Sequence, residues 1–124
     1  MPKIGKEGAT ILVKLHQFDQ GDTEKKVIDT QNNLWHQGLV DGLTVMPLHE
    51  FKGEHIALVK WAPYTQFQPH KHWGGEEIFV LDGTFYDEHG RYSKGTWLRS
   101  PHTSQHTPFT KEDGALIYVK VGHL

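Results

Sequence analysis

At 124 residues, with thirteen basic and fifteen acidic side chains, the chain has room for one domain around one hydrophobic core. Its formal charge of -2 argues against a nucleic-acid or anionic-membrane surface, and no window approaches the roughly 18 to 20 apolar residues of a membrane span. With no cysteine, disulfides, thiolate nucleophiles, iron–sulfur clusters and Cys-type zinc sites are excluded, so any chemistry runs on imidazole, carboxylate and hydroxyl groups, and ten histidines are the main resource.

Residues 1–8 lack the apolar run of a secretory signal, and a cytoplasmic protein is expected. Residues 7–15 (EGATILVKL) parallel residues 113–121 (DGALIYVKV) in the pattern acid-Gly-Ala-x-Ile-x-Val-Lys-apolar. Chance similarity between two β-strands is one explanation. The sharper one is that residues 1–28 hold the closing strand of a preceding, absent copy of the same domain, followed by a polar linker over 16–28. The domain proper is then 29–124. Such a strand needs an edge to pair with, in its own sheet or in a neighbouring chain's, and the second case makes a homodimer through sheet edges that shares the N-terminal strand the expected assembly.

Residues 29–36 (DTQNNLWH) come nearest to a helix, but the Asn pair speaks against one. Strands are predicted at 55–61, 77–82, 84–87, 91–93, 96–99 and 115–121, punctuated by Gly and Pro. Asp87-Glu88-His89-Gly90 reads as a tight turn with Gly90 at positive φ. Short strands at this spacing predict an all-β sandwich or barrel.

The chemistry concentrates in 66–83 (QFQPHKHWGGEEIFVLDG). His70 and His72 are one residue apart, so on an extended strand both rings point to one face. Glu76 follows a Gly74-Gly75 turn able to swing its carboxylate toward the same point. Further on come Gly95, Pro101 and His106. Three imidazoles and a carboxylate suit zinc, iron, nickel, copper or manganese.

These spacings resemble the two cupin motifs. His70, His72, Glu76 and Gly83 fit the first, and Gly95, Pro101 and His106 fit the second. The departures are Tyr64 and Thr103 where the motifs carry glycine, and Thr110 where the second closes with Asn. The run from Glu76 to Phe109 is similar to the cupin domain of ChrR-like anti-sigma factors and to acetylacetone-dioxygenase-like cupins, and the resemblance covers roughly residues 30 to 124. It implies a cupin jelly roll of two antiparallel sheets around a mononuclear metal held by His70, His72, Glu76 and His106. The ion it implies is zinc, with iron, manganese or nickel as other divalent candidates, and the barrel could take a small molecule. ChrR-like proteins hold their sigma factor through a separate zinc-binding domain with His and paired Cys. The resemblance therefore implies a sensory or metal-binding module here, not sigma-factor binding by this chain.

Two functions follow from that resemblance. A saturated zinc would contribute folding energy or sensing. A metal with open positions would support a dioxygenase cleaving a β-dicarbonyl-like compound. Activity of that kind goes with a three-His site, to which Glu76 adds a fourth ligand. No catalytic residue is assigned. Glu77 is expected to point outward or to bridge to a ligand's second nitrogen. His102 is read as an exposed histidine, and Ser104 as a hydroxyl able to reach the cavity. Tyr64 and Trp73 are candidates for the barrel mouth, and Arg99 for an ion pair or an anion clamp. His16, His36, His49, His55, His89 and His123 have no partner at ligand spacing.

Overall fold

The computed structural model describes residues 3–124. Its strands, in chain order, are β1 (His36–Gln37), β2 (Leu43–Phe51), β3 (Glu54–Trp61), β4 (His70–Lys71), β5 (Glu76–Asp87), β6 (Gly90–Ser93), β7 (Trp97–Ser100), β8 (Gln105–His106) and β9 (Ala115–Val121). No α-helix occurs among the described residues, and so none long and apolar enough to cross a membrane. The near-helical segment yields one 3-10 turn, Thr30–Asn32, capped by Asp29, whose carboxylate accepts from Gln31 N at 3.0 Å. The larger sheet runs β1-β2-β3-β9-β5-β6, with β7 also on β5, and β4 pairs with β8 as a second sheet. All pairings are antiparallel. The expected all-β architecture of two antiparallel sheets is therefore present.

β2 has no counterpart in the sequence reading, because Pro47 interrupts its run. The register shifts between Pro47 and His49, and β1 covers only Thr44 and Val45 on the far side. Beyond them β2 is an edge, where a proline costs no ladder bond. The segments predicted at 77–82 and 84–87 are one strand, β5, bent at Gly83. A Cβ at Gly83, whose φ is +69°, would lie 2.3 Å from the Gly114 carbonyl oxygen. The register on β9 shifts between Val80 and Asp82. Residues 76–79 pair with β7 and residues 84–87 with β6.

That irregularity has a side-chain consequence. Before it, Glu76, Ile78 and Val80 share the inward face. An extra residue inverts the alternation. After it, Phe85 enters the core and Asp87 faces His106. The core is Leu43, Trp61, Ile78, Val80, Phe85, Ala115 and Ile117, with Trp61 edge-on to Phe85 at 5.3 Å.

The tight turn after β5 is present, but Gly90 is not at positive φ. Asp87 makes that conformation unnecessary. Its Oδ1 accepts from His89 N at 2.8 Å and Gly90 N at 3.1 Å, closing the turn with its own side chain.

The N-terminal residues lie over the outer face of the larger sheet. Residues 3–15 pair with no strand of the same chain, where a strand was expected to find an edge. Their polar groups serve buried charges instead. Lys14 donates to Glu77, and Gln17 Oε1 accepts from Lys120 Nζ at 2.8 Å. Farther along, in the segment read as a linker, buried Asp22 accepts from His49 Nε2 at 3.0 Å. Glu77 and Lys120 face outward yet are covered, and a covered charge needs a partner. Ile11, Leu12, Val13 and Leu15 stay exposed.

Candidate metal centre

His70 opens β4, directly opposite His106 on β8. The pairing extends one step further, with His72 N donating to Ser104 O at 2.9 Å. Gly74 and Gly75, at φ +85° and +76°, then reverse the chain in a space too tight for side chains. Cβ atoms there would lie 2.7 Å from Gly122 Cα and 2.6 Å from Leu124 Cβ. The reversal brings Glu76 back beneath His72.

One donor atom from each of His70, His72, Glu76 and His106 falls within 4.8 Å of all the others. The rings stand 4.5 to 4.8 Å apart between centroids. Glu76 Oε1 lies 3.3 Å from His72 Nε2 and 3.5 Å from His106 Nε2. Neither contact is aligned as a hydrogen bond, and both His72 nitrogens and Glu76 Oε1 are buried with no hydrogen-bond partner. Four lone-pair donors within 4.8 Å of one another, those of His72 and Glu76 without a hydrogen-bond partner, fit a cation. His70 Nδ1 lies 3.0 Å from Gln68 O, which selects the tautomer with a free Nε2.

The electrostatics agree. Burial, followed by the neighbouring His106 and His70, pulls His72 down to about 4. Burial and the nearby Asp87 carboxylate push Glu76 up to about 8. Burial also lowers His106, against the opposing pull of its hydrogen bond to Asp87. Neutral His72 and His106 rings are what a metal requires, while Glu76 would give up its proton on binding one. Behind it lies a cavity of about 410 Å³ whose walls include Trp61, Phe67, Phe85, Ile117 and Val119. Its lining residues include neither lysine nor arginine.

The ChrR cupin-like domain matches residues 23–124. This chain belongs to that family. It shares its fold with the ChrR anti-sigma complex with SigE of Rhodobacter sphaeroides, at 21% identity and a TM-score of 0.65, covering 75% of this chain and 50% of that one. An acetylacetone dioxygenase of Acinetobacter johnsonii matches at 16% identity and a TM-score of 0.66, covering 91% and 80%. A putative acetylacetone dioxygenase of Methylibium petroleiphilum PM1 matches at 14% identity and a TM-score of 0.73, covering 84% and 81%. The chain spans about half the length of the ChrR complex chain and of a cupin-like protein of unknown function from Ralstonia eutropha JMP134. No curated protein matches.

In this ChrR-type cupin the two missing motif glycines leave a visible trace. Tyr64 and Thr103, which stand in their places, both sit in the left-handed region, at φ +55° and +68°. The backbone keeps the shape and the side chain bears the strain. Thr103 is exposed, so Thr103→Gly is expected to stabilise the protein by about 0.5–1 kcal/mol, net of the added freedom of the unfolded chain. Chemical denaturation midpoints measure this, and a lower midpoint would refute it. Thr110, in place of Asn, accepts from Thr65 N at 3.0 Å and donates to Ala62 O at 2.7 Å, tying the second motif to the end of β3.

Several expectations about neighbouring residues change. Glu77 points outward but does not bridge to a ligand. It is held by Lys14 and by His123 Nε2 at 2.9 Å, and these hydrogen bonds outweigh burial to lower its pKa. Tyr64 and Trp73 are exposed and do not line the cavity, which is walled instead by side chains projecting inward from the sheet. Arg99 is exposed on the outer face, in register with Glu77, away from the cavity. The Ser104 hydroxyl is buried without a partner and lies outside the cavity lining. His102 is exposed as expected, with its Nδ1 accepting from Gly74 N at 2.7 Å. Asp87 is the residue that sequence reasoning missed. Its turn signal was visible, but its approach to His106 depends on the bulge in β5.

Proposed function

We propose that this protein is a metal-binding cupin module of the ChrR sensory type, in which His70, His72, Glu76 and His106 hold one divalent ion, zinc by preference. The observation that carries this reading is the convergence of four donor sets, two of them with buried and unpartnered atoms. Three imidazoles and a carboxylate match zinc's borderline character. When bound, the ion would neutralise Glu76 and bind the β4 and β8 motifs to β5, so that metal loss becomes a structural signal. Elemental analysis of protein purified without added metal tests this. One zinc per chain with four protein donors and no exchangeable water supports it, and a metal-free chain that takes up no added zinc refutes it.

The apolar cavity supports a second reading, a metal-dependent dioxygenase acting on a small dicarbonyl-like compound. There the ion would be iron, manganese or nickel with open positions, supplying Lewis-acid or oxygen chemistry. The chain's own contribution would be to exclude water and to seat an uncharged body against Trp61 and Phe85. Oxygen uptake with small diketones distinguishes the two readings. We also propose that two copies associate through the N-terminal segment, whose exposed Ile11, Leu12, Val13 and Leu15 support that assembly. Light scattering of the full chain reads its mass directly.

A further inference from the structure

We propose that the tip of the β5–β6 hairpin is the device that orients His106, with Asp87 and Glu88 as positioning residues that set its tautomer and seat its backbone. This inference rests on the metal reading of the four-residue centre. Asp87 is buried, and its Oδ2 lies 3.3 Å from His106 Nδ1. Its other oxygen accepts from His89 N, from Gly90 N, and from the Tyr92 hydroxyl at 3.0 Å. Three donors on one oxygen leave the carboxylate no freedom to turn away. A carboxylate can only accept, so His106 carries its proton on Nδ1 and presents the Nε2 lone pair toward Glu76.

Glu88 acts one residue further on. Both of its oxygens lie 3.0 Å from Thr107 N, so the amide following His106 is clamped to the same turn. The ring and the backbone of one ligand are thus fixed by consecutive residues of a single hairpin tip. The three imidazoles are not treated alike. His70 has a neutral carbonyl behind it, His72 has no partner, and only His106 is backed by a carboxylate. A charged partner behind an imidazole raises its basicity as a ligand, and losing such a partner costs about 10–100-fold in metal affinity.

The test uses the full chain labelled with nitrogen-15 and freed of metal. Long-range proton–nitrogen spectra of the histidine rings are expected to show His106 with its proton on Nδ1. In Asp87→Ala the proton moves to Nε2, and the zinc dissociation constant, measured by competition with a chromophoric chelator, weakens about 10–100-fold. Asp87→Asn, whose side-chain carbonyl still accepts, restores the tautomer and part of the affinity. An unchanged tautomer together with zinc affinity within threefold of native in Asp87→Ala overturns the proposal. Should that variant not fold, Glu88→Ala and Tyr92→Phe decide: a threefold or greater loss of zinc affinity in either supports the proposal, and no change in both overturns it. A native chain that binds no zinc removes the metal reading, while the tautomer of His106 still reports on the hairpin tip.

Discussion

Replacing His72 with alanine is expected to abolish stoichiometric zinc binding and to erase the thermal stabilisation that zinc gives the native chain. His72 is buried, and neither ring nitrogen has a protein hydrogen-bond partner, so on the metal reading the ion supplies the partner that the fold does not. With free metal a thousandfold above its dissociation constant, binding contributes about 4 kcal/mol. For a domain of this size that corresponds to about 12–20 °C in Tm. The metal-free forms should differ far less. The substitution leaves a cavity, but it also relieves unsatisfied buried nitrogens that cost about 1–3 kcal/mol. Melting with zinc and with chelator, in both chains, separates the terms. A His72→Ala chain that still carries one zinc removes His72 from the ligand set.

The second large effect is a pH dependence that metal binding cancels. In the metal-free protein Glu76 has a pKa of about 8, well above its ordinary 4.5, so its protonated form is favoured by folding. That contribution is complete below pH 4.5 and is lost as pH rises to 8. His72, lowered from 6.5 to about 4, contributes stability that is present above pH 6.5 and lost as pH falls to 4. The two trends oppose each other between pH 4.5 and 6.5. Above 6.5 only Glu76 acts, and metal-free stability is expected to fall by up to about 1.4 kcal/mol per pH unit toward pH 8. Zinc needs the ionised carboxylate, so over the same interval its affinity rises and binding releases a proton. Denaturation of both forms at pH 6.5 and 8 reads the difference, a fall in the metal-free form and none from Glu76 in the metal-bound one. Metal-free stability that is flat or rising across that interval would remove Glu76 as its source.

The all-β architecture was legible in local strand and turn signals, whereas the four converging residues needed the motif resemblance as well, since His106 lies far from His70, His72 and Glu76 in the chain. His70 and His72 alternate on a strand, and the two glycines before Glu76 mark the reversal. β9 was delimited at 115–121 by its apolar run alone. Legibility failed where tertiary context decides. Pro47 hid β2, because only an edge position makes a proline harmless there. Gly83 looked like the end of a strand and is a bend within one. The double role of Asp87, closing a turn and backing a ligand, depends on a register shift seven residues upstream that no periodicity shows. The polar stretch at 16–28 read as a linker because nothing in it signals that Gln17 and Asp22 would be needed by Lys120 and His49.

β5 begins at Glu76 and ends at Asp87, and those two carboxylates flank opposite nitrogens of the same imidazole. A straight strand of that length would hold its ends about 35 Å apart, so this strand has to wrap almost fully before either end can reach His106. On the metal reading, the complete ligand set exists only after that wrapping, and ion capture is expected late in folding. Interactions that form so late lengthen the lifetime of the native state and leave the speed of its formation nearly untouched. A bound ion would then act as a clock on survival, read as a slower unfolding rate with metal than with chelator.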